Sequence, residues 1–75
     1  MITLYTKENC PNCKMIEKQL IASNKSFDEK SLDNEDTLVE LITEGALLKS
    51  APILKINDKF IYDVNEMKEG IKNAE

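Results

Sequence analysis

Hydrophobic and polar positions divide the chain into seven segments. Ile2 to Tyr5 alternates with the period of a short strand and runs into Thr6-Lys7-Glu8-Asn9, a polar loop. From Pro11 the period lengthens. Cys13, Ile16 and Leu20 follow the i, i+3, i+7 spacing of one helix face, with Lys14, Glu17 and Lys18 on the wet side and Ser23-Asn24 as the stop. Pro11 suits the first helical position, which makes Cys10 the N-cap. Ser26 to Leu32 reads as a weaker, more polar strand at a sheet edge. Asp33 or Asn34 caps a second helix that turns Leu38, Leu41 and Ile42 inward and stops at Gly45. Ile53 to Ile56 and Phe60 to Tyr62 flank Asn57-Asp58-Lys59, a hairpin signal. Asp63 with Glu66 three residues on opens a last helix, whose stripe is Val64, Met67, Ile71 and Ala74.

The predicted order is β-α-β-α-β-β-α. A strand-helix-strand opening favours a parallel, right-handed crossover, and the hairpin adds an antiparallel pair. The expected fold is α/β, a four-stranded mixed sheet flanked by helices on both faces, and residues 1–75 read as a single domain.

Charge and composition narrow the chemistry. Asp and Glu number 14 against 10 Lys and no Arg, a net charge of -4, which argues against a nucleic-acid partner that needs a basic face. The chain has no His, so His-based metal sites, Cys-His dyads and Ser-His-Asp triads are excluded. No apolar run approaches the roughly 20 residues that cross a bilayer, and Met1 to Lys7 lacks a signal-peptide pattern. A cytoplasmic monomer is expected. In that reducing compartment the two cysteines, Cys10 and Cys13 in Cys10-Pro11-Asn12-Cys13, read as catalytic or metal-binding. A bridge across so short a loop constrains the unfolded chain very little, so stability is a poor reason for it.

Position assigns different roles to the two thiols. As N-cap, Cys10 meets the unpaired amides of Asn12 and Cys13 and the positive helix end, which stabilise a thiolate. Lys7 and Lys14 add positive charge nearby. Cys13 lies on the inner stripe and is shielded. Cys10 is therefore the expected nucleophile, forming a mixed disulfide with substrate, and Cys13 the resolving thiol that attacks Cys10 and releases the reduced product. Cys10–Cys13 is then the redox-active disulfide.

The Tyr5-Thr6-Lys7 to Cys10-Pro11-Asn12-Cys13 stretch, the Ser50-Ala51-Pro52 ahead of the hairpin, and the element order resemble the thioredoxin fold, and within it a small glutaredoxin. The resemblance spans essentially the whole chain and implies a thiol-disulfide oxidoreductase that reduces protein or glutathione-mixed disulfides. It implies a cis bond at Ala51-Pro52 facing the cysteines, with Ala51 offering backbone hydrogen bonds to substrate. Lys7 matches the basic residue that contacts the glutathione carboxylate. Asn12 replaces the Tyr of many glutaredoxins, which removes an aromatic wall from the cleft. Tyr5 is expected to pack beneath the site. Counted without gaps from Pro52, the Gly-Gly that lets the backbone approach glutathione falls on Tyr62-Asp63. Similar small glutaredoxin-like proteins serve ribonucleotide reductase and draw electrons from thioredoxin reductase. No tightly bound cofactor is implied; glutathione or thioredoxin reductase is the electron source, and a disulfide-containing protein the substrate.

A soft-metal carrier is the rival reading, because Cu(I) chaperones also place Cys-x-x-Cys after a first strand and thiolates suit Cu(I). Their order is β-α-β-β-α-β, and a Met commonly stands where this chain has Glu8. Two thiolates fill half of a tetrahedral zinc site, so zinc or an iron–sulfur cluster requires a dimer. A non-enzymatic adaptor is the third reading, opposed by the retention of both cysteines and Pro52.

Overall fold

The computed structural model describes residues 1–48 and 50–73. Its elements are β1 (Ile2–Thr6), α1 (Pro11–Ala22), β2 (Asp28–Ser31), α2 (Glu35–Thr43), β3 (Ile53–Ile56), β4 (Lys59–Ile61) and α3 (Val64–Asn73), in the expected order. The sheet runs β2-β1-β3-β4. β2 lies parallel to β1, while β3 is antiparallel to both β1 and β4. The polar β2 is an edge strand, as its composition predicts.

Alternation along the strands builds two cores. Ile2, Leu4 and Leu54 pack with Ile16 and Leu20 of α1 and Met67 and Ile71 of α3. On the opposite face Tyr5 and Ile53 pack with Leu32 and with Leu41 of α2. Two ion pairs strap α2 across its face: Lys30 Nζ of β2 reaches Glu40 at 2.7 Å, and Lys55 of β3 reaches Glu44. Each hydrogen-bonded carboxylate raises the pKa of its lysine. Solvent-exposed pairs of this kind contribute little stability individually.

Local signals set the ends of the elements, with some differences from the pattern. Asn34 is the cap of α2, its Oδ1 accepting from the Asp36 amide at 2.8 Å. Gly45 follows the helix at φ +81°, the left-handed conformation expected of a stop. Leu41 is buried as expected and Leu38 packs half-buried against the same core, but Ile42 does not turn inward: it is 60% exposed, and Thr37, one turn before Leu41, faces the sheet. A nine-residue helix rests one narrow stripe on the sheet, so the adjacent apolar positions Val39 and Ile42 face outward. The hairpin is tighter than predicted, since Lys59 pairs with Ile56 and leaves Asn57-Asp58 as the turn, with Asn57 at φ 55°. Tyr62 lies beyond β4, and β2 is shorter than Ser26 to Leu32. At α3 the Asp63 Oδ2 accepts from the Glu66 amide at 3.0 Å, which makes Asp63 the cap. Ala74, expected on the inner stripe of α3, lies outside the described residues.

Strand directions gather four segments at one end of the sheet. β1 ends there and leads through residues 7–9 to Cys10. The register Tyr5↔Ile53 brings Pro52 beside the end of β1, and Leu54↔Ile61 brings Tyr62-Asp63 to the same end. The close of parallel β2 at Ser31 completes the group.

Candidate active site

The loop after β1 turns sharply at Asn9, whose φ of 56° suits a residue that tolerates the left-handed region. The chain then enters α1 with Cys10 extended at φ -113° and ψ 101° and Pro11 in the first turn. Cys10 caps the helix through its sulfur: the Cys13 amide donates to Sγ at 3.1 Å. The first amides of a helix lack carbonyl partners, so this geometry stabilises negative charge on Cys10. Cys10 and Cys13 form a disulfide with their Cα atoms 5.2 Å apart, within the usual range. Cys13 is 3% exposed, whereas Cys10 is half-buried and flanked by the exposed Pro11 and Asn12. The asymmetry inferred from spacing alone is present in the fold.

The other sequence-derived residues lie on segments that meet at the same end of the sheet. Ala51-Pro52 is cis, with Pro52 buried and Ala51 half-buried against the Tyr5–Ile53 core. Tyr5 is 1% exposed, and burial raises its pKa above the ordinary 10.0, with Glu40 and Glu44 adding to the effect. Its ring belongs to the core on the sheet face opposite α1, the α2 side, rather than to the face on which Cys13 lies. Lys7 is exposed in the loop before Cys10, and Asn12 is exposed on the first turn of α1. Among the described residues, no three His, Cys, Asp or Glu side chains gather to hold a metal ion.

Two features had no signal in the sequence pattern. Tyr62 packs its ring toward the Tyr5–Ile53 core, and its hydroxyl accepts from the Leu47 amide at 2.8 Å, tying the chain after β4 to the loop that leads to Pro52. The partners are fifteen residues apart and share no periodic element. Glu17, placed on the wet side by helical spacing, is half-buried and lines a cleft with Cys13 and Glu29 of β2. Only the parallel pairing of β2 with β1 brings Glu29 there.

The glutaredoxin family profile matches residues 2–61. The chain belongs to the glutaredoxin family. The general activity of this glutaredoxin is thiol-disulfide exchange, consistent with the disulfide at its helix tip. It is similar to the glutaredoxin-like protein NrdH of Lactococcus lactis subsp. lactis (strain IL1403), 36% identical over 58 residues that cover 77% of this chain and 79% of the relative. NrdH of L. lactis subsp. cremoris (strain MG1363) is 34% identical over the same coverage. Among solved structures, glutaredoxin 1 from Francisella tularensis matches with a TM-score of 0.73 at 20% identity, over 95% of this chain and 91% of that one. Escherichia coli NrdH-redoxin, described with a thioredoxin-like activity profile, matches at 0.69 and 16% identity over 91% of each chain. These two structures establish the shared thioredoxin fold. No helix among the described residues is long and apolar enough to cross a membrane.

Proposed function

We propose that this glutaredoxin is a dithiol electron carrier of the NrdH kind, which reduces a protein disulfide, such as that of a ribonucleotide reductase, and is itself recharged by thioredoxin reductase. Cys10 is the nucleophile and Cys13 the resolving thiol. The observation that carries this assignment is the hydrogen bond from the Cys13 amide to Cys10 Sγ at 3.1 Å, which places only Cys10 at the positive end of α1. Cys10 Sγ attacks the substrate disulfide and forms a mixed disulfide as one substrate sulfur leaves. Cys13 Sγ then attacks Cys10, the second substrate sulfur leaves, and the chain ends with the Cys10–Cys13 bridge. Pro52 and Ala51 would border the incoming substrate, with Asn12 at the helix tip and Lys7 on the loop before it.

Support for thioredoxin reductase over glutathione comes from the segment after β4. Where glutathione-using relatives carry Gly-Gly, this chain has Tyr62, tethered to Leu47, and Asp63, committed as the cap of α3. The tether narrows the backbone's freedom there, and Asp63 brings a carboxylate toward an anionic ligand. The NrdH relatives and the activity profile described for the E. coli protein point the same way. The test compares reduction of insulin disulfides driven by a bacterial thioredoxin reductase with NADPH, or by glutathione with glutathione reductase. Faster turnover with thioredoxin reductase is expected; efficient turnover with glutathione alone would reject the reading.

A further inference from the structure

The two sulfurs of the redox pair face different surroundings. Cys10 lies at the helix tip, whereas Cys13 lines an open cleft of about 320 Å³ bordered by the loop after β1, the first turns of α1 and Glu29 of β2. Cys10 is not part of its lining. Glu17 follows Cys13 by four residues, so the two side chains stack on one side of α1. Glu29 pairs with Leu4, which packs under α1, and so it reaches the same side of the sheet. Glu29 is exposed at the rim of this cleft. Hydrogen bonding with the Glu17 side chain, then partial desolvation, then the charge of Glu17 raise its pKa, with Lys14 opposing them. Two carboxyls in contact share a proton readily.

The resolving step needs such a group. Cys13 starts as a thiol; its sulfur bonds to Cys10 Sγ, the bond from Cys10 to the substrate sulfur breaks, and the substrate leaves as a thiolate. The Cys13 proton must go elsewhere, and the chain has no His to take it. The charged groups lining the cleft are Lys7, Glu8, Lys14, Glu17 and Glu29. A charged lysine offers only donors. Glu8 sits in the exposed loop before the helix, whereas Glu17 is one turn from Cys13 on α1 itself. At about 30 Å³ of liquid volume per molecule, the cleft has room for several waters to relay a proton. We propose that the Glu17–Glu29 carboxyl pair accepts the Cys13 proton through this cleft as Cys13 closes the disulfide. The proposal rests on Cys13 being the resolving thiol.

The experiment is stopped-flow oxidation of the reduced protein by an aromatic disulfide, 5,5′-dithiobis(2-nitrobenzoate), whose thiolate absorbs on release. Attack by Cys10 gives a first phase that scales with reagent; closure by Cys13 gives a second that does not. Glu17→Gln/Glu29→Gln should slow the second phase by about tenfold or more, below the usual range of a positioned base because bulk water also reaches the cleft. The first phase should stay within about twofold, and added formate should restore part of the loss. A purely electrostatic role predicts the reverse sign, since removing negative charge favours the Cys13 thiolate. A second phase that is unchanged or faster in a variant with native circular dichroism therefore overturns the proposal. Glu17→Asp, which keeps a carboxyl, should retain more of the second phase than Glu17→Gln; equal rates also overturn it. Absence of any reagent-independent phase in the unsubstituted protein is a different failure, one that removes the division of labour between Cys10 and Cys13.

Discussion

Replacing Asp63 by Asn separates charge from helix capping in the choice of electron donor. Asn caps helices about as well as Asp, so its Oδ1 can keep accepting from the Glu66 amide, now bonded at 3.0 Å. What disappears is one negative charge on a chain at -4. At a separation of about 4 Å in water, a like-charge contact with glutathione costs about 1 kcal/mol, or roughly fivefold in affinity. The substitution should therefore raise glutathione-dependent turnover by up to about fivefold at low ionic strength. The gain should shrink toward nothing at 1 M salt, where the screening length is about 3 Å. Lost attraction to the positive end of α3 costs about 0.3–1 kcal/mol, a fall in Tm of roughly 1–8 °C. Adding Tyr62→Gly should raise turnover further by freeing the loop now held through Leu47, at a larger cost in Tm. The assay is glutathione-coupled reduction of a mixed disulfide, at about 10 mM and about 1 M salt, with melting followed by circular dichroism. Unchanged glutathione turnover in a well-folded Asp63→Asn protein at low salt would refute the electrostatic argument.

Other consequences follow from burial and charge. Tyr5, Lys30 and Lys55 all have raised pKa values, so the fold favours their protonated forms. The stability this confers is present below the ordinary values of 10.0 and 10.5 and is lost as pH rises through the raised ones; Tm should fall above about pH 10, and less steeply in Tyr5→Phe. Glu29 is also raised, so its contribution is present below 4.5 and lost on going to neutral pH. Glu29→Gln should then stabilise the protein at pH 7 by about 0.2–0.5 kcal/mol, a small amount because solvent screens the pair, and by nothing at pH 3. Leu20→Ala empties a fully buried site between α1 and α3 and should cost about 2–5 kcal/mol, enough to populate the unfolded state in a chemical denaturation series.

What the sequence reveals and what it hides divide along the range of the interactions. Cys10 as cap, Pro11 in the first turn and the inward Cys13–Ile16–Leu20 stripe depend on neighbours within two turns, and their spacing states them directly. The polar β2 is legible as an edge because one strand with few apolar residues cannot be buried on both faces. Ile42 is misread because α2 carries more apolar residues than one contact stripe can use, and only packing on the sheet selects Thr37 and Leu41. Asp63 reads correctly as a cap from Glu66 three residues on. The Tyr62–Leu47 tether and the Glu17–Glu29 pair each join residues from different elements, and no local period encodes them. The cis bond at Pro52 followed from family resemblance, since a proline before a strand is ordinarily trans.

The central claim is that the tip of α1 makes Cys10, and not Cys13, the attacking thiol. The most direct test mixes the reduced single-cysteine variants, Cys13→Ser and Cys10→Ser, with equimolar oxidised insulin and follows the mixed disulfide by intact-mass spectrometry. Cys13→Ser, which keeps Cys10, should trap the substrate quickly, whereas Cys10→Ser should stay free over the same interval. Faster adduct formation by Cys10→Ser, through Cys13, would contradict the account.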